Sequence, residues 1–329
     1  MTNELKRYLK NKKNLEDAFL YNPGHEHDSC GVGFVASTDG KQRREVVQGG
    51  IDALKAVWHR GAVDADGKTG DGAGILTQIP YNFFDDEIAK TGHEKRDEPL
   101  GIGMMFLPRN DYAALEKCRT IIESELLDHG YYIYGWRQVP INNSVIGEKA
   151  NSTRPEIEQV MFVNNIERDK DFDFAKELYL VRRRLEKRIA KQQINGFYVC
   201  SLSFESIIYK GLFLAEQLSI FYPDLANEEF ISSFAVFHQR YSTNTFPSWG
   251  LAQPFRLLAH NGEINTISGN TNWMRNHQTR ITTEIFGDDS EQVKPIIEKN
   301  VSDSSALDAA FELYVRAGRS VPLVKTLLI

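Results

Sequence analysis

Cys30 heads the run Cys30-Gly31-Val32-Gly33-Phe34, where a strand-like pattern begins. The two glycines flanking Val32 let backbone come close to a ligand at that end; a plain strand-edge cysteine is the competing reading. His238-Gln239-Arg240-Tyr241-Ser242-Thr243 closes a second strand-like run. An Arg beside Ser and Thr suits two-point recognition of a carboxylate, and equally a surface ion pair. His260-Asn261-Gly262-Glu263 follows a third run. Asn-Gly after a strand commonly makes a turn. The same pair can stabilise an oxyanion, with the Asn amide and the Gly N–H both donating. Ser302-Asp303-Ser304-Ser305 precedes a helical pattern; it reads as a helix cap, or as a place where Asp303 holds an ammonium group.

Other chemical signals fail. Gly67-Lys68-Thr69 resembles the end of a phosphate-binding loop, but the spacing from Gly61 is wrong and no apolar strand leads in. It reads as a polar, glycine-rich loop. His25-Glu26-His27-Asp28 has no partner pair at zinc-site spacing and reads as a solvated turn. Arg182, Arg183, Arg184, Lys187, Arg188 and Lys191 sit among inward-facing Leu178, Val181, Leu185 and Ile189, the pattern of a solvated helix face. Cys118 on a helical apolar stripe and Cys200 inside a strand read as inert core thiols.

The elements that must position these residues alternate irregularly. Strand patterns cover Val32–Ser37, Ile75–Ile79, Gly101–Leu107, Tyr131–Trp136, Gln159–Val163, Phe197–Ser203, Ser206–Tyr209, Phe234–Tyr241 and Phe255–Ala259. Phe197–Phe213 contains no helix-length connection, so hairpins and antiparallel pairing are expected. Helical spacing marks Ile51–Trp58 before Gly61, Leu115–Leu126 before Gly130, Leu178–Ile189 before Asn195-Gly196, and a helix from Ser302–Ser305 through Val315. The pattern predicts an α+β fold, not an alternating βαβ sheet. The chain has 329 residues, of which 41% are hydrophobic and 26% charged, with a net charge of −6. That excludes wholesale disorder and disfavours non-specific nucleic-acid binding. Three cysteines without a CxxC give no disulfide framework. No segment reaches membrane-spanning length, and Met1–Ser29 lacks the apolar core of a secretory signal. A cytoplasmic protein is expected. The apolar end Val321–Ile329 looks like a domain edge or a chain cut short of its continuation.

Seven segments in order carry a resemblance: Cys30-Gly31-Val32-Gly33, His59–Ala62 (HRGA), Gly70–Gly74 (GDGAG), Arg240–Trp249 (RYSTNTFPSW), Ala252–Thr266 (AQPFRLLAHNGEINT), Gly269–Met274 (GNTNWM) and Ser302–Asp308 (SDSSALD). Together they resemble the N-terminal glutaminase domain of the glutamate synthase large subunit, a class II glutamine amidotransferase of the N-terminal-nucleophile hydrolase type. Phe204-Glu205-Ser206 departs from the Ser-Arg-Thr-like stretch expected between adjacent strands. The resemblance implies a four-layer α-β-β-α sandwich of two mainly antiparallel sheets. It implies that residues 1–29 are a propeptide and 30–329 the amidotransferase domain, shortened at its C-terminus. Cleavage of Ser29–Cys30 would free an α-amino group on Cys30, which serves as base for its own thiol.

The implied substrate is L-glutamine. Its carboxylate would sit on Arg240, its ammonium on Asp303 with Glu263 helping, and its oxyanion between Asn261 and Gly262; Thr243 and His260 would support the site. No metal and no cofactor are implied in this chain. FMN, a 3Fe-4S cluster, the remaining glutamate synthase domains and an NADPH-linked small subunit or ferredoxin belong to the full-length family. No nucleic acid and no membrane are expected as partners. Two alternatives stand beside this reading. One is a papain-like hydrolase using Cys30, His238 or His260, and Asn261, although its CGSCW-type signature is absent. The other is a catalytically silent glutamine-binding module.

Overall fold

The computed structural model describes residues 3–18, 22, 31–239, 246–262, 264–280, 283–299 and 301–328. Met1–Cys30 and Gly31–Ile329 form two compact units. The first holds α1 (Asn3–Asp17).

In chain order the second unit contains β1 (Val32–Ala36), α2 (Arg44–Ala56), β2 (Ala73–Gln78), α3 (Tyr81–Lys90), β3 (Leu100–Leu107), α4 (Tyr112–Asp128), β4 (Tyr131–Gln138), α5 (Glu148–Ser152), β5 (Glu156–Asn164), α6 (Phe174–Lys191), β6 (Tyr198–Ser203), β7 (Ser206–Gly211), α7 (Leu218–Phe221), β8 (Phe234–Gln239), α8 (Ile267–Gln278), α9 (Thr283–Phe286), α10 (Asp303–Arg316) and α11 (Val321–Leu327). The strands build two four-stranded sheets, β1-β8-β2-β7 and β4-β5-β3-β6. Every pairing among them is antiparallel. This is the α+β architecture expected.

Two apolar cores explain the strand composition. Ile75, Tyr209 and Phe237 of the first sheet share one core with Ile102, Met104, Phe106 and Met161 of the second; α2 adds Val47, Ile51 and Leu54. The opposite face of the second sheet presents Met105, Leu107, Val160 and Phe162 to Cys118, Ile122 and Leu126 of α4 and to Leu178, Val181 and Leu185 of α6. β3 is therefore buried on both faces, which is why its sequence, LGIGMMFL, does not alternate. A polar seam ties the sheets together. The Gln159 amide donates to the Tyr209 hydroxyl at 2.9 Å, and that hydroxyl donates to Asp224 at 2.8 Å. Arg137 grips the same carboxylate with two N–H groups at 2.7 and 2.8 Å.

The helices start where their capping residues stand. Asp111 accepts from the Ala114 N–H at 2.9 Å, Asp173 from Lys176 at 2.9 Å, and Ser302 from Ser305 at 3.1 Å. α4 stops before Gly130, whose φ of +78° continues no helix. The Gly67–Thr69 loop is the polar turn expected, with Asp66 accepting from the Lys68 and Thr69 amides. Phe204 and Glu205 make the turn between β6 and β7, which belong to different sheets. Ser203 Oγ accepts from the Glu205 and Ser206 amides, and the Phe204 ring packs 5.1 Å from that of Phe174.

Three expectations are corrected. Phe255–Ala259 is not a strand but a tight loop, closed by the Phe255 N–H donating to the Leu258 carbonyl at 2.8 Å. The basic run of α6 is not wholly solvated. Arg182 and Arg183 are buried; Arg182 pairs with Glu312 of α10 at 2.7 Å and Arg183 with Glu186 at 2.9 Å. Buried charge is tolerated there because each guanidinium meets a carboxylate. The hairpin expected within Phe197–Phe213 does not form: β6 joins the second sheet and β7 the first, so the short turn between them crosses from one sheet to the other. Helices α3 and α8 were also missed: α3 is short, and no residue of α8 is buried, so it carries no apolar stripe to read.

Candidate active site

β8 lies between β1 and β2, and His238 stands opposite Val32 on one side and Gly74 on the other. The Gln239 N–H donates to the Gly31 carbonyl at 2.6 Å. A Cβ on Gly31 would lie 2.1 Å from the Gln239 carbonyl oxygen, so only glycine allows the chain leaving residue 30 to run so close to β8. Gly74 has the same role on β2: a Cβ there would meet the Gln253 carbonyl oxygen at 2.5 Å. The last glycine of GDGAG thus admits the AQPF segment onto the sheet.

That segment holds the His260-Asn261-Gly262 loop. The Gln253 side chain accepts from the His260 N–H at 2.8 Å and donates to the His260 carbonyl at 2.9 Å. His238 Nε2 donates to the same carbonyl at 3.1 Å. The His260 ring reaches the other way, with Nδ1 lying 3.1 Å from Ser304 Oγ at the start of α10. Next to it, Asp303 is buried, and its carboxylate accepts from the Ser304 N–H at 2.7 Å. Burial holds the His260 imidazole below its ordinary pKa; the Asp303 carboxylate opposes this shift and Lys325 adds to it. The ring is therefore neutral at neutral pH.

Two predicted donors are available to a ligand. Neither the Asn261 amide nor the Gly262 N–H makes a hydrogen bond among the described residues. A Cβ on Gly262 would come within 2.9 Å of His260 Nε2, so a larger residue there would press on that ring. The His260–Ser304 contact links the loop that carries Asn261 and Gly262 to the start of α10, where Asp303 stands. Cys30, Arg240, Thr243 and Glu263 lie outside the described residues, as do His25–Asp28. His238, Gln253 and Ser304 also belong to the site's frame. Sequence reasoning had no signal for Gln253 or Ser304, since both act on a backbone or ring that only the folded chain brings near.

The other thiols are unsuited to nucleophilic work. Burial pushes Cys118 up to about 11, and Cys200 up to about 12 against the pull of Lys210 and Arg256. They occupy α4 and β6, in different cores, and provide no closely spaced ligand set for an iron–sulfur cluster. Among the described residues no group of His, Cys, Asp or Glu is arranged to hold a metal ion, and no helix is long and apolar enough to cross a membrane.

Comparison of the sequence with known proteins finds a family. The family described as glutamine amidotransferases class-II matches residues 30–329. The glutamate synthase [NADPH] large chain of Azospirillum brasilense is 60% identical over 315 residues, covering 96% of this chain and 21% of that protein. The chloroplastic ferredoxin-dependent glutamate synthase of Spinacia oleracea is 42% identical over 309 residues, covering 93% of this chain and 19% of its own length. The glutamate synthase [NADPH] large chain of Bacillus subtilis is 41% identical over 300 residues, covering 91% and 20%. The chain spans about a fifth of the length of these relatives.

Proposed function

The chain belongs to the class-II glutamine amidotransferases, and on that premise we propose that it hydrolyses L-glutamine to glutamate and ammonia through a thioester on Cys30. The observation that carries the reading is the pair of unengaged donors, Asn261 and Gly262, in a loop that His260 ties to Ser304, the residue after the buried Asp303.

In this reading residues 1–29 are removed and Cys30 becomes the first residue. Its α-amine takes the thiol proton, and the thiolate attacks the side-chain amide carbon of glutamine. The carbonyl oxygen gains negative charge and lies between the Asn261 amide and the Gly262 N–H. One such donor contributes about 2.7–4 kcal/mol to the transition state. The C–N bond then breaks, and ammonia leaves with a proton returned from the Cys30 α-ammonium. Water attacks the resulting thioester, releasing glutamate and restoring the thiol. Arg240 holds the substrate carboxylate, Asp303 and Glu263 its ammonium, and Thr243 supports the site. The neutral His260, fixed against Ser304, holds the loop and moves no proton.

The ammonia is destined for reductive amination of 2-oxoglutarate in further glutamate synthase domains, in the cytoplasm. FMN and an iron–sulfur cluster would be held there, by residues outside this chain, with electrons from an NADPH-linked subunit or ferredoxin. The papain-like alternative lacks a CGSCW-type signature around Cys30.

The test is ammonia release from glutamine by the chain, with its N-terminus sequenced alongside. A chain that starts at Cys30 and releases ammonia, and a Cys30→Ala variant that folds and releases none, are expected. An intact Met1 with glutamine binding but no ammonia would establish the silent module instead.

A further inference from the structure

An oxyanion site works only if its donors are already in place when charge develops. Asn261 and Gly262 have little local means of staying in place. They form an Asn-Gly pair in a loop, Gly262 is exposed, and neither makes a hydrogen bond that would fix it among the described residues. What is fixed is the residue before them. His260 has its N–H and its carbonyl both bound by one side chain, the amide of Gln253, at 2.8 and 2.9 Å.

That amide does for a single loop residue what a neighbouring strand does for a residue in a sheet. Gln253 is itself 3% exposed, and its backbone is seated on β2 through Gly74. His238 adds a third bond to His260 from β8, opposite the β1 residue Val32. A short path therefore runs from the strand that follows Cys30, through β8 and Gln253, to the two donors.

We infer that Gln253 is a positioning residue for the oxyanion donors, acting through the His260 backbone and touching no substrate atom. The inference rests on the amidotransferase reading. Removing the amide leaves the His260 N–H without its partner and frees the loop to move. A misplacement of about 1 Å can cost roughly a hundredfold in rate. Because the carbonyl oxygen gains its charge only in the transition state, the loss falls on kcat and not on KM.

The test compares wild type, Gln253→Leu, Asn261→Ala and the double variant, in the full chain after its N-terminus has been checked. Gln253→Leu should lower kcat for glutamine by about ten- to a hundredfold with KM within about twofold of wild type. Alkylation of Cys30 by iodoacetamide, which needs no oxyanion donor, should keep its rate. The double variant should be no slower than Asn261→Ala by more than about threefold, since both changes remove one function. Gln253→Glu, which keeps the acceptor and loses the donor, is read in the same way if Gln253→Leu is insoluble. An unchanged kcat, a rise in KM alone, additive losses in the double variant, or a matching fall in alkylation would each overturn the inference. If wild type itself releases no ammonia, the amidotransferase reading falls; an active wild type matched by Gln253→Leu sinks only the positioning role.

Discussion

A thiol of ordinary acidity is only a few per cent thiolate at neutral pH, so a nucleophilic cysteine needs a base, and Cys30 can supply its own once residues 1–29 are gone. The substrate side makes a separate demand. If Arg240 holds the glutamine carboxylate with a two-pronged guanidinium, Lys cannot replace it. Arg240→Lys should raise the KM for glutamine by about ten- to a hundredfold, the equivalent of one charge-assisted bond, with kcat nearly kept. Steady-state kinetics would show it, and an unchanged KM would remove Arg240 from the carboxylate site. At this scale residue types nominated Asn261, Gly262 and Asp303 as candidates, because an oxyanion donor pair and an ammonium acceptor have few chemical solutions. Gln253 was not legible. Its partner is a backbone seven positions on, reached only after the loop has folded back.

At the scale of elements, patterns told most where one face is apolar and the other wet. α4 and α6 followed from their stripes and caps. The charged side of α6 misled, because a second helix, α10, covers it with Glu312, and a pairing across elements leaves no periodic trace. The same region holds Asp308, a buried carboxylate on α10 that accepts from the Leu257 N–H at 3.0 Å. Burial pushes it up to about 6 from an ordinary 3.8, against the pull of Arg256. The folded state thus binds the Asp308 proton more tightly than the unfolded chain. That contribution to stability is fully present below the unfolded value of 3.8 and is lost as pH rises through about 6. Asp308→Asn should remove it. Urea midpoints across that range should fall with pH more steeply in wild type than in the variant; identical slopes would contradict the assignment.

Over the whole molecule, two cores and one polar seam hold the sheets. Sequence patterns yielded eight strands and the α+β class, but not the strand order: the one short connection, between β6 and β7, joins two sheets, and no two paired strands are linked by such a connection. They could not yield the seam, where Arg137, Gln159, Tyr209 and Asp224 meet from four distant stretches of chain. Asp224→Ala leaves a buried guanidinium short of its main partner, and should lower unfolding stability by about 3–5 kcal/mol; a loss below about 1 kcal/mol would mean the seam orders the fold without stabilising it. The central claim concerns one sulfur and one freed nitrogen on the same residue. Its most direct test is the intact mass of the protein quenched during turnover of glutamine. The account predicts a chain beginning at Cys30 and carrying one glutamyl group on that cysteine. Ammonia released by a chain that still begins at Met1, or turnover with no adduct on Cys30 at any quench time, would contradict it.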